Sequence, residues 1–137
     1  MRKARLDYVV LTVGGPLPER SGPRRSFFER RLPLPAEPLS LQELNARLQA
    51  IADADNVRGV VIIFRGFSAG LATLQNFRAA VHRIRAAGKE AIVYTPFVNL
   101  SHYYAAAAAD AIVIPPASHF EVLGLFSEVT FLKDLLS

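Results

Sequence analysis

The sequence predicts an α/β domain with a largely parallel β-sheet, and three observations carry this prediction. Short β-rich segments alternate along the chain with segments whose apolar residues recur at helical spacing. The segment at 57–64, VRGVVIIF, is apolar on both faces, as are parallel strands covered by helices on both sides. The chain has 137 residues, of which 51% are hydrophobic, so it is long enough for one domain with its own core. We therefore expect a single domain over residues 1–137.

The chain begins with a predicted strand at residues 7–13, which Gly14, Gly15 and Pro16 are expected to stop. Residues 16–38 follow and contain six of the nine prolines. Each proline removes a backbone amide donor and disfavours helix at the preceding residue. The segment 16–38 is therefore predicted to be a long Pro/Arg-rich loop within the domain, and loops of this length are usually functional or disordered.

The positive charge is concentrated near the start of the chain. Residues 1–31 hold eight Lys or Arg against three Asp or Glu, which gives +5, whereas the remainder holds eight basic against nine acidic residues, which gives −1. A basic segment of this kind can bind nucleic acid or an anionic membrane surface. A solvated basic loop is the interpretation we favour, so we predict no nucleic-acid partner and keep contact with a membrane surface open.

Regular structure is predicted to resume with an amphipathic helix at residues 41–53. Ser40 and Glu43 form a capping box, in which the serine side chain accepts from the amide of Glu43 and the glutamate reaches back to the amide of Ser40. The apolar residues that follow have helical spacing: Leu41, Leu44, Leu48 and Ile51.

The second half of the chain continues the alternation. The predicted elements are a strand at 57–64, a loop at 65–70, a helix at 71–88, a strand at 90–96, a short helix at 101–109, a strand at 111–116, one or two short strands within 120–129 and the start of a helix at 130–137. The apolar face of the helix at 71–88 comprises Leu74, Phe77, Val81 and Ile84. Gly88 is its predicted C-cap, and His82 is expected at the edge of the face.

Composition excludes several classes of protein. The chain has no cysteine, which rules out disulfides and thiolate metal sites, and its three histidines show no ligand spacing. We predict no metal and no cofactor. No apolar run reaches the roughly 18–20 residues that span a bilayer, and the N-terminus lacks the apolar core of a signal peptide. The chain itself is expected to be soluble, so any membrane attachment would come from elsewhere in a parent protein.

Ser101 and His102 stand where a strand is followed by an alanine-rich helix. Adjacent residues of a helix point about 100° apart, so this pair is not a hydrogen-bonded catalytic dyad. Serine is a preferred helix cap, and we interpret Ser101 as a cap or first-turn residue. It is also the only candidate nucleophile we single out, and it would need a base brought from elsewhere in the fold.

The loop RGFSAG at 65–70 is the second candidate site. A glycine-containing turn from strand to helix can aim backbone amides at a phosphate or a developing oxyanion, which makes Ala69 and Gly70 candidates for oxyanion or substrate binding. The loop matches neither a Walker motif nor a dinucleotide fingerprint, and an ordinary tight turn also explains it. Tyr103 is a candidate substrate-binding residue, with packing of its ring as the alternative.

In combination, these segments resemble the signal peptide peptidase A (protease IV) family. The resemblance covers most of residues 40–137 and the strand at 7–13, and its segments in order are LSLQELNARLQAIADADNVRGVVIIFRGFSAG, RAAGKEAIVYT, YYAAAAADAIVIPP and GLFSEVTFLKDLL. The resemblance implies the ClpP/crotonase fold, built from repeated β-β-α units. It also implies peptide substrates and a ring-like homo-oligomer.

The catalytic residues of that family are not matched in full. Its oxyanion loop reads Ser-Pro-Gly-Gly, where this chain has Phe67-Ser68-Ala69-Gly70. Its nucleophile motif reads Ala-Ser-Gly-Gly-Tyr-Tyr, where this chain has the run from Asn99 to Tyr104. The nucleophile position therefore holds Leu100, and Ser101 comes one residue too late. The family's lysine base is expected beyond Ser137, and Lys133 matches a helix position instead.

These departures resemble the N-terminal half of the long, two-domain members, which lost its serine and contributes the lysine. We expect the chain to be a truncated N-terminal portion of such a membrane-associated serine protease, with a structural and oligomerisation role. The parent would hydrolyse remnant signal peptides or other membrane-associated peptides through a serine–lysine dyad. The 137-residue chain alone is expected to be inactive.

Two other classes of protein stay open. The first is a non-catalytic interaction module that binds acidic partners or a membrane surface through the basic Pro-rich loop. The second is an acyl-CoA enzyme of similar fold, which would need a carboxylate base near its oxyanion loop. No suitable carboxylate stands near Gly66–Gly70 in the sequence.

Overall fold

The structure is a computed structural model that describes residues 6–20 and 39–121. Within these residues, nine elements follow one another along the chain. They are β1 (Leu6–Pro16), α1 (Leu41–Asp53), β2 (Val57–Ser68), α2 (Leu71–Ala86), β3 (Glu90–Tyr94), β4 (Phe97–Asn99), α3 (Leu100–Ala106), β5 (Ala111–Val113) and β6 (His119–Glu121).

The strands form two sheets. The main sheet has four strands in the order β1-β2-β3-β5, and every neighbouring pair in it is parallel. The small sheet contains β4 and β6, which are also parallel. The predicted α/β class with a largely parallel sheet is therefore confirmed. The single domain over residues 1–137 stays a prediction.

The first two helices begin where the sequence predicts them, but α2 ends at Ala86 and its C-cap is Ala87, one residue before the predicted Gly88. The Oγ atom of Ser40 accepts from the amide of Glu43 at 3.1 Å, so α1 begins at the predicted cap. The apolar face predicted for α1 is buried, and so is the one predicted for α2. Beyond α2, Gly88 has a φ of +76°, and the amide of Lys89 donates to the carbonyl of Ile84 at 3.2 Å. Glycine adopts this left-handed conformation without a steric penalty, which explains why the helix ends here.

The hydrophobic core lies where α1 and α2 pack against each other and against the main sheet. Phe64 of β2 and Phe77 of α2 are almost fully buried, with ring centroids 5.8 Å apart. Leu44 and Leu48 of α1 are equally buried. The apolar faces of the strands and of the helices thus pack together in one hydrophobic core, as expected for a sheet covered by helices.

β1 and β2 are longer than predicted. The sequence suggested that Gly14-Gly15-Pro16 ends β1 and that residues 65–70 form a loop, but β1 includes Pro16 and β2 includes Ser68. Gly15 and Gly66 take positive φ values of 67° and 59°, and the β1–β2 register shifts between Gly14 and Pro16. The glycines therefore produce an irregularity within a continuing strand pair, which is a common use of glycine in β-structure.

The shorter elements differ more from the predictions. The strand β4 was missed, because three residues carry too little pattern and their partners in β6 lie 22 positions further along the chain, as in the pair Phe97 and His119. The predicted helix at 101–109 is α3, which begins one residue earlier and ends at Ala106. The strands predicted at 90–96 and 111–116 end at Tyr94 and Val113.

Several predictions fall partly or wholly outside the described residues. They are most of the loop at 16–38, the strand region of 120–129 beyond Glu121, and the helix at 130–137. In the part of the chain that the structure describes, no helix is both long and apolar enough to cross a bilayer.

Candidate functional site

The two predicted site segments lie close together at the carboxyl end of the main sheet. Ala69 and Gly70 connect the end of β2 to α2, and Ser101 and Tyr103 belong to α3. A contact between Phe67 and His102 joins the end of β2 directly to the first turn of α3. Ligands of open α/β folds usually bind at this end of the sheet, so the position suits a binding or catalytic site.

The cap of α3 is Asn99, and the prediction that Ser101 could fill this role is wrong. The Oδ1 atom of Asn99 accepts from the amide of His102 at 2.8 Å, and Asn99 itself has extended backbone angles. Ser101 is a half-buried residue of the first helical turn, which is the other role that the sequence allowed. Asparagine is among the preferred caps, so the signal for Asn99 was present in the sequence.

His102 is buried at the site, and the sequence analysis did not predict this burial. Its side chain is only 2% exposed. Nδ1 lies 2.8 Å from the carbonyl oxygen of Phe97, and Nε2 lies 2.7 Å from the carbonyl oxygen of Phe67. The signal available was helical spacing, since His102, Ala105 and Ala106 form one buried face of α3.

Three phenylalanine rings surround the imidazole of His102. The ring of Phe67 is stacked on it at a centroid distance of 5.8 Å and an angle of 16°. The ring of Phe64 is tilted at 5.5 Å, and that of Phe97 stands edge-on at 5.8 Å. The histidine therefore contributes to the aromatic packing beneath the site as well as to its hydrogen bonds.

Ser101 therefore has no hydrogen-bonded base among the described residues of the site. Both ring nitrogens of His102 face main-chain carbonyls, so neither is available to accept a proton from Ser101. Leu100, at the position where the resembled family has its nucleophile, is 38% exposed. Lys89 is the only lysine among the described residues, and it lies at the amino end of the sheet, where its Nζ donates to the carbonyls of Ala54 and Val57.

The turn between β2 and α2 leaves the N-terminus of α2 without a side-chain cap. Gly70 is the N-cap of α2 and provides no capping side chain, and its carbonyl accepts from the amide of Leu74 at 3.0 Å. The first amides of a helix have no partner within that helix, so those that follow Gly70 are available to other acceptors. Ala69 is half-buried, and Gly70 is exposed.

The two tyrosines of α3 have different surroundings. The Arg78 guanidinium lies over the ring of Tyr104 at 4.6 Å and also donates to the Tyr104 carbonyl, so Tyr104 has a packing role. Tyr103 is 53% exposed and lines a cavity of about 160 Å³. The other residues lining this cavity are Thr95, Val98, Ala106, Ile112, Ile114 and Phe120. Its apolar walls suit an aliphatic or aromatic side chain.

The perturbed ionisable groups lie at the opposite end of the sheet. The carboxylate of Asp110 accepts from the Ala91 amide at 2.9 Å and from Arg85 at 2.7 Å, and these contacts lower the pKa of Asp110. The phenol of Tyr8 donates to the Glu90 carboxylate, which raises the pKa of Tyr8. Both pairs are exposed and join neighbouring elements, which indicates a structural role.

Within residues 6–20 and 39–121, no three histidine or carboxylate side chains are grouped as a metal site requires. The candidate site consists of the main-chain amides at the start of α2, the exposed Leu100, the hydrogen-bonded His102 and the apolar cavity beside Tyr103. No model of a known protein family matches this sequence, and no curated protein matches it either.

Proposed function

We propose that this chain is the N-terminal, non-nucleophile portion of a serine–lysine peptidase of the signal peptide peptidase A type. Its role is structural: it builds one wall of the peptide-binding site and contributes to self-association. The parent protein hydrolyses peptide bonds in remnant signal peptides or other membrane-associated peptides. The proposed reaction comes from the resemblance of the sequence to that family, and the geometry around Leu100 and His102 supports the proposal that this portion carries no nucleophile.

The order of the strands supports a ClpP/crotonase-like fold. β3 lies in the main sheet, the next strand β4 lies in the small sheet, and α3 follows. β5 and β6 then repeat the same division between the two sheets. A unit of two strands followed by a helix is what the resemblance to the ClpP/crotonase fold implies, and the alternation between sheets fits that unit.

The first turn of α3 is the observation that carries the non-catalytic role. Leu100 exposes an aliphatic side chain at the position of the family nucleophile. His102 directs both ring nitrogens at main-chain oxygens, so it does not activate the neighbouring Ser101. A serine without a base is a poor nucleophile at neutral pH. The β2–α2 turn keeps its amide donors, as expected for a vestigial oxyanion site.

The coding sequence beyond codon 137 tests the proposal directly. A lysine-bearing element followed by a second β-β-α repeat with a Ser-Gly-Gly-Tyr-Tyr motif is the expected finding. A stop codon in that position would contradict the proposal, because the chain would then be an entire protein without its nucleophile.

A labelling experiment tests the absence of a nucleophile independently. The purified chain is treated with a fluorophosphonate probe and assayed on a fluorogenic peptide library, with Ser101→Ala as the matched control. We expect neither labelling nor turnover in either protein. Labelling of the wild-type chain that disappears in Ser101→Ala would show that Ser101 is a working nucleophile.

A further inference from the structure

Each ring nitrogen of the buried His102 imidazole faces a hydrogen-bond acceptor. The oxygens of Phe97 and Phe67 lie 2.8 Å and 2.7 Å from Nδ1 and Nε2. A main-chain carbonyl only accepts, and a neutral imidazole carries one N–H, so a neutral ring would point one lone pair at an oxygen. Only the doubly protonated ring donates to both carbonyls.

We propose that His102 is held as an imidazolium in the folded protein and acts as a proton-dependent clasp between the carboxyl end of β2 and the strand β4. The proton joins Phe67, just before the β2–α2 turn, to Phe97, the first residue of β4. Loss of the proton leaves one of these two links repulsive. This inference rests on the hydrogen-bond geometry and is independent of the proposed peptidase role.

Among the described residues, no carboxylate accepts a hydrogen bond from the His102 ring, whose two partners are main-chain carbonyls. The elements with the most contacts to α3 are α2, β2 and β4, and none of the three carries Asp or Glu; β6, which pairs with β4, carries Glu121 opposite Asn99. The ion pairs among the described residues all lie elsewhere. The charge is therefore balanced by carbonyl dipoles, supplemented by three aromatic rings within 6 Å of the imidazole centroid.

The arginines on the neighbouring elements oppose a proton on His102, whereas the carboxylate of Glu121 on β6 favours it. The charged and titratable groups on these elements are Arg78, His82, Arg83 and Arg85 on α2, Arg58 and Arg65 on β2, His119 and Glu121 on β6, and the phenols of Tyr103 and Tyr104 on α3 itself. Arg78 is occupied by Tyr104, and Arg58 and Arg65 are exposed to solvent, which screens their charge. The two short contacts to carbonyl oxygens are direct, so we expect them to outweigh these screened charges and the cost of burial.

Nitrogen-15 NMR of the labelled full chain tests the clasp directly. At pH 7.5, long-range proton–nitrogen spectra distinguish an imidazolium, whose two nitrogens have nearly equal shifts, from a neutral ring, whose nitrogens differ widely. His82 on α2 and His119 on β6 are exposed and serve as internal controls, assigned with the variants His82→Gln and His119→Gln. We expect nearly equal shifts for His102 alone. Widely separated shifts for His102 at this pH would overturn the proposal.

The pH dependence of stability provides a second test with a defined sign. An unperturbed histidine loses its proton at about pH 6.5, so above this pH the folded state would hold a proton that the unfolded chain has released. Stability falls with rising pH wherever the folded state binds more protons. We therefore expect the urea midpoint of the wild type to fall between pH 6 and pH 9, as it also should in His82→Gln.

The variant His102→Gln removes the titrating group but keeps a donor. Its urea midpoint is expected to vary less over the same pH range. An identical pH dependence in wild type and His102→Gln would contradict the clasp. If His102→Gln does not fold, the NMR measurement on the wild type decides the question by itself.

Discussion

The two ends of the main sheet are stabilised in different ways. At the amino end, charged side chains pair with one another or with main-chain groups across elements, as Asp110 does with Arg85 and the Ala91 amide. At the carboxyl end, the side chains at the surface include Leu100, Tyr103 and Phe120, and His102 is the one buried ionisable group among the residues that the structure describes. A protein surface that exposes several apolar side chains around a cavity is typical of a binding site. The amino end is therefore joined by polar contacts, whereas the carboxyl end exposes the apolar surface on which the proposed peptide-binding role depends.

The largest effect is expected from Phe64→Ala, which removes the packing beneath the carboxyl end. The Phe64 ring contacts the rings of Phe67, Phe77 and His102, and its side chain is 1% exposed. Truncation of a buried phenylalanine costs about 3–5 kcal/mol of unfolding free energy. Urea unfolding followed by circular dichroism measures the change, and a loss below 1 kcal/mol would show that the ring is not well packed.

A substitution at Gly59 should disrupt the amino end by steric contact. A Cβ atom on Gly59 would lie 2.4 Å from the carbonyl oxygen of Glu90 and 2.8 Å from Cε1 of Tyr8. Overpacking of this kind costs about 1–3 kcal/mol, so Gly59→Ala should lower the urea midpoint. The exposed neighbour Arg58 provides the control, since Arg58→Ala should change stability by at most about 0.5 kcal/mol. Equal stability of Gly59→Ala and wild type would contradict the close approach of the strands.

The variants Asn99→Ala and Ser101→Ala separate the cap of α3 from its first turn. Asn99 accepts from the His102 amide, so its replacement should cost about 1 kcal/mol. Ser101 does not hold this position, and its replacement should cost less than about 0.5 kcal/mol. Thermal melts of both variants provide the comparison. A larger loss of stability in Ser101→Ala than in Asn99→Ala would indicate that Ser101 is the cap.

A smaller effect than that of Asn99→Ala is expected from Asp110→Asn, and it should depend on pH. The contacts of Asp110 to the Ala91 amide and Arg85 lower its pKa in the folded state, so this contribution is present above the unfolded value of about 3.9 and is lost as the pH falls further. The pair is partly exposed, so we expect a loss of about 0.5 kcal/mol at pH 7. The difference between wild type and Asp110→Asn should vanish toward pH 2. A difference that grows on acidification would contradict this sign.

The sequence predicted the long elements well and the site details poorly. Helices α1 and α2 have enough residues for their apolar periodicity to be clear, and the cap at Ser40 and the stop at Gly88 have local signals. β4 and the extension of β2 depend on pairing with β6 and β1, which lie far away in the chain. The burial of His102 depends in the same way on carbonyls contributed by β2 and β4.

The extension of β2 through Ser68 has a consequence for motion at the site. The turn that follows is attached on two sides, because the Leu17 amide donates to the Ser68 carbonyl and His102 contacts the Phe67 carbonyl. A segment fixed on both sides opens only when a larger part of the fold opens with it. The β2–α2 turn is therefore expected to behave as a fixed wall, with the Leu17 amide among the slowly exchanging hydrogens. Any peptide that binds there would therefore bind to a preformed surface.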